Sequence, residues 1–116
     1  MLQAALVLFV ITAGFGIYLL NTLLSKKTAP KMAAVIAHGL FAAVALGLLV
    51  TFYIMGHPEP LLRTNIILFA LVALGGASLL IMGLLRKPLP PAVTLLHPIF
   101  ALLALGLLIY QVFWGS

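Results

Sequence analysis

Four long apolar runs, each bounded by a short polar or proline-bearing break, leave this chain few ways to fold. They cover residues 2–24, 32–55, 64–85 and 92–114, and each has the ~20 residues an α-helix needs to cross ~30 Å of hydrocarbon. The breaks run from Ser25 to Lys31, from Gly56 to Pro60 and from Arg86 to Pro91. In lipid every backbone N–H and C=O must be satisfied internally, so a spanning segment is either a helix or a strand of a closed barrel. Barrel strands alternate apolar and polar positions, whereas these runs are apolar on every face. Short breaks make consecutive helices antiparallel. The expected fold is all-α: an integral membrane up-down four-helix bundle, a single membrane domain over residues 1–116.

The composition agrees. Of 116 residues 66% are hydrophobic and 6% charged, against about a quarter charged in a soluble domain. The net charge of +5 comes from six Lys and Arg set against one acid, Glu59. Five of the basic residues, Lys26, Lys27, Lys31, Arg86 and Lys87, fall in the first and third breaks, while Arg63 lies near Glu59 in the second. This pattern fits membrane topology, not a nucleic-acid footprint. The positive-inside rule assigns loops one and three to the cytoplasm and both termini to the periplasm of a bacterial inner membrane. Tyr53, Tyr110 and Trp114 then fall near the outer boundary, where amphipathic rings prefer to sit. In the first run the positive charges follow the apolar stretch and no small-residue cleavage pattern is evident, so the expectation is a retained helix and not a signal peptide. Without cysteine the chain has no disulfide, no thiolate metal site and no covalent c-type haem attachment.

The chain also aligns with itself. A shift of about 60 residues pairs Phe9 with Phe69, Gly16 with Gly76, Lys26–Lys27 with Arg86–Lys87, and Pro30 with Pro90. After a one-residue slip, His38–Leu49 matches His97–Leu108 at eight of twelve positions, the rare histidine included. We read repeat one over 1–57 and repeat two over 61–116. Each copy crosses the membrane twice, so the second enters in the same orientation: a parallel internal two-helix repeat about an axis along the membrane normal. Helices two and four become symmetry mates, expected to lie on one diagonal of the bundle with their duplicated faces toward its centre.

His38 and His97 follow the first and third loops by six or seven residues, about 10 Å of helix rise. An ionisable residue at such depth is costly and usually faces the protein interior, which makes it a candidate site. Ala42 and Ala45 follow His38 on its own face, as Ala101 and Ala104 follow His97, with Phe41 and Phe100 at i+3. A smooth alanine wall suits either a flat macrocycle or a close helix crossing. Adjacent axes 8–10 Å apart put diagonal axes at roughly 11–14 Å, a spacing at which two imidazoles reach one iron. The histidines therefore read as axial ligands of a non-covalent haem b, with the alanines and phenylalanines as pocket wall and the basic loops near its propionates. Other readings stay open: an interhelical hydrogen bond, or quinone, metal or proton handling.

Other features carry less. His57 reads as a loop residue, with a metal role beside Glu59 as the sharper alternative. Gly14, Gly16, Gly75 and Gly76, with Ala70, Ala73 and Ala77, suit close helix packing, and Thr12 and Asn21 suit interhelical hydrogen bonds. The basic loops are also suited to anionic lipid. No nucleophile with a base, paired carboxylates, phosphate loop or zinc spacing is present, and the membrane-embedded glutamate of small multidrug exporters is missing.

The repeated basic-proline loop, histidine and Leu-Ala-Gly-rich helix, here Arg86–Lys87–Pro88 through Leu108, resembles small bacterial inner-membrane proteins with a duplicated two-helix unit and no assigned activity. In plan the chain is similar to membrane b-type cytochromes, although it lacks the further histidine pair of the two-haem cytochrome b561 group. That resemblance implies haem held between histidines of different helices and single-electron transfer with a redox partner. The competing expectation is a non-catalytic structural or accessory subunit of a larger membrane complex.

Overall fold

The computed structural model describes residues 2–25, 31–56, 59–88 and 90–114. Four helices follow one another: α1 (Leu2–Ser25), α2 (Met32–Ile54), α3 (Pro60–Leu84) and α4 (Pro91–Trp114). All four are long and apolar enough to cross a membrane, and the described residues contain no strand. The protein is an all-α, multi-pass membrane protein.

Three helices start and stop within a residue or so of the apolar runs. α3 starts four residues early, at Pro60 and not Thr64. Hydropathy discounts Arg63, but helix initiation depends on the backbone. Pro60 occupies the first turn, where its missing N–H is no loss and its fixed φ is already helical.

The chain divides into two compact units, Met1–His57 and Pro58–Ser116. The first pairs α1 with α2, and the second pairs α3 with α4. In the first hairpin Ala5, Phe9 and Thr12 of α1 are buried, as are Ala45 and Leu49 of α2. In the second, Leu62, Asn65 and Phe69 of α3 are buried with Ala104, Leu108 and Gln111 of α4. Spacings of three and four residues put each set on one stripe of its helix. Outside the stripes the helices expose large apolar side chains such as Val7, Leu40, Leu74 and Leu102, for which hydrocarbon is the natural solvent.

Two helix ends differ in chemistry. After α2 the chain turns at Gly56 with φ 106°, a conformation glycine adopts at little cost. After α3, Arg86 N–H bonds Gly83 O at 3.1 Å and Lys87 N–H bonds Met82 O at 2.9 Å, the paired pattern of a Schellman cap. The residue in the left-handed position there is Arg86, φ 57°, where glycine is usual. Its cation lies at the negative end of the α3 dipole.

Candidate functional site

His38 lies six residues into α2 and His97 six residues into α4. The fourth helix begins at Pro91 and continues through Pro98, so His97 is a helical residue.

Each histidine reaches across its own hairpin to a backbone carbonyl. His38 Nδ1 lies 2.9 Å from Thr12 O, and His97 Nδ1 lies 2.9 Å from Val72 O. A carbonyl oxygen can only accept, so Nδ1 carries the hydrogen in both rings, and a neutral imidazole then has its lone pair on Nε2. Because the partner is a main-chain atom, the exchange of Thr12 for Val72 between the copies does not disturb it. The Thr12 hydroxyl bonds Leu8 O of its own helix at 2.8 Å. The interhelical bond expected of Thr12 is thus made by its carbonyl and not its side chain.

Glycine makes room for each ring. A Cβ on Gly16 would stand 3.1 Å from His38 Cε1, and one on Gly76 would stand 2.9 Å from His97 Cε1 and 3.4 Å from its Nε2. Gly75 lies beside the same ring, with 3.8 Å from its Cβ position to Nδ1. Three of the four glycines expected at packing faces thus form histidine seats, while a Cβ on Gly14 would meet nothing within 4 Å.

The expected pocket wall is only partly shared. Ala45 and Ala104 are fully buried, whereas Ala42 and Ala101 are half-buried. Phe41 stacks on Phe15 with ring centroids 6.0 Å apart and planes 13° apart. Phe100 is 44% exposed, because the second-copy counterpart of Phe15 is Gly75 and no ring is there to meet it. The space left is an apolar groove of about 290 Å³ lined by Gly75, Val72, Leu96, His97 and Phe100 among others.

Two site-like residues escape a motif reading. Asn65 donates from Nδ2 to Ala104 O at 2.9 Å, yet its Oδ1 and the Oε1 of Gln111 are buried without a hydrogen-bond partner. The self-alignment offers the signal, since these amides stand against Ala5 and Phe52 of the first copy. Asn21 is exposed. Lys26, Lys27 and His57 lie outside the described residues. Among the described residues no three or more His, Cys, Asp or Glu come together as metal ligands.

Comparison with protein-family models, with curated proteins and with solved structures returns no match.

Proposed function

We propose that this is a small b-type haem-binding membrane protein for single-electron transfer, with His38 and His97 as axial ligands. The observation that carries the reading is the matched pair of Nδ1–H···O=C bonds. A histidine that ligates a metal through one ring nitrogen usually donates the other N–H to a carbonyl or carboxylate, which fixes tautomer and ring orientation. The residue types also suit it: a zinc ion asks three or four ligands of a protein, whereas a haem would ask one histidine of each hairpin. When bound, the haem iron supplies a reversible one-electron change. The chain's own part is to hold each imidazole by the Thr12 and Val72 carbonyls, to admit it over Gly16 and Gly76, and to bring Lys31, Arg86 and Lys87 to the end of the hairpins nearest the histidines. We place the protein in the inner membrane, with loops one and three cytoplasmic and both termini periplasmic, from the loop charges.

Protein purified from haem-replete cells should show a Soret band and a sharp reduced α band, both lost in His38→Ala and in His97→Ala. Far-UV circular dichroism separates loss of haem from loss of fold. A colourless, helical preparation overturns the reading.

One observation favours a second reading, an accessory subunit without cofactor. The carbonyl bond and the glycine seat together account for each histidine as a clamp between two helices. A stoichiometric, cofactor-free complex isolated in mild detergent would support it.

A further inference from the structure

The first hairpin carries a groove with a lysine in its lining, which the corresponding groove of the second hairpin lacks. It lies along α1 and α2 as a shallow, open trough of about 490 Å³, lined by Ile11, Gly14, Phe15, Tyr18, Lys31 and Ala34. Gly14 and Ala34 keep it open, since even a Cβ added at Gly14 would meet nothing within 4 Å. Phe15 forms a wall held in place by its stack on Phe41. From Ile11 to Tyr18 the α1 side of the groove rises about 10 Å. Its polar lining residues are Tyr18, in the C-terminal half of α1, and Lys31, the residue that precedes α2.

We infer that this groove binds an anionic phospholipid, its acyl chain along Ile11, Gly14, Phe15 and Ala34 and its phosphate at Lys31 and Tyr18. The occupant follows from charge and medium. An apolar trough on a membrane-spanning helix pair is filled by hydrocarbon, and its one charged lining residue is a cation, which attracts a phosphate without a compensating choline or ethanolamine charge. The second hairpin is an internal control. At the 60-residue shift its counterparts of Phe15, Tyr18 and Lys31 are Gly75, Ser78 and Pro91, and its own groove contains no Lys or Arg. The inference is independent of haem binding.

Native mass spectrometry of the full chain, titrated with dioleoyl phosphatidylglycerol or dioleoyl phosphatidylcholine, tests it. The wild type should retain the anionic lipid at least about fivefold better, the discrimination of one lysine near a charged headgroup. Lys31→Gln combined with Tyr18→Phe should bring the two lipids level. Ala34→Phe should weaken both by filling the trough, and Leu96→Phe in the second groove should leave the preference intact. Equal retention by the wild type, a preference that survives Lys31→Gln with Tyr18→Phe, or one that instead follows Lys26→Gln with Lys27→Gln would overturn the site.

Discussion

In both hairpins a histidine donates to a main-chain carbonyl across the helix pair and rests over a glycine. The surroundings have diverged: Phe41 has a ring to stack on, whereas Phe100 borders an open groove. The first seam buries Ala5, Phe9 and Thr12, and the second buries Asn65 and Gln111 among its apolar residues. The difference shows which contacts two hairpins of similar sequence can share even where their side chains differ. A bond to a carbonyl tolerates any side chain on the residue that supplies it, so Thr12 and Val72 are interchangeable. A stack needs both rings, and losing one leaves a void.

The sharpest test of that equivalence is a glycine series. Gly76→Ala would drive a methyl against His97 at 2.9 Å and should lower stability by about 2 kcal/mol, within the range for overpacking. Gly16→Ala, at 3.1 Å, should cost about 1 kcal/mol. Gly14→Ala and Gly83→Ala, with open space at the Cβ, should gain up to about 0.5 kcal/mol from helix propensity. SDS titration followed by circular dichroism reads all four. If Gly76→Ala proves as harmless as Gly14→Ala, the rings are not seated on the glycines and the likeness of the hairpins ends at their sequence.

A second contrast concerns the ends of α2 and α3. Gly56→Ala places a Cβ at φ 106° and should destabilise by about 1 kcal/mol, whereas Arg86→Gly relieves a side chain at φ 57° and should stabilise by about 0.5 kcal/mol. Thermal melts in detergent give both values. Two changes of the same sign would mean that Arg86 contributes more through its charge at the α3 terminus than its backbone costs.

The helices were legible because a lipid-spanning helix writes its length directly into hydropathy, and only α3 ran more than one residue past its apolar run, through Arg63 to Pro60. The histidines were legible as rare ionisable residues at matching positions in two copies. Their partners were not: every residue has a carbonyl, so nothing in the letters marks Thr12 or Val72 as the acceptor until the helices are set in register. Gly16 and Gly76 could be read as packing residues by type, but a seat for one particular ring needs the same register. The Phe15 to Gly75 exchange stood in the alignment, and its consequence for Phe100 required knowing that Phe41 and Phe15 meet.

The smallest expected effect probes the polar pair of the second seam. An orphaned buried acceptor costs its desolvation, so replacing it with an apolar group of similar shape is neutral or stabilising. Phe52 stands at the Gln111 position of the first hairpin, so an apolar side chain is compatible with this place in the seam. Gln111→Met should therefore raise stability by up to about 1 kcal/mol. Asn65→Ala recreates Ala5, removing both the 2.9 Å bond to Ala104 O and the unpartnered Oδ1. A hydrogen bond inside a membrane protein averages only about 0.6 kcal/mol, so gain and loss nearly cancel and the change should stay within about 0.5 kcal/mol. A loss above about 1 kcal/mol for Gln111→Met would mean that a donor reaches its oxygen in the membrane. The second hairpin would then have acquired a polar contact that the first has never needed.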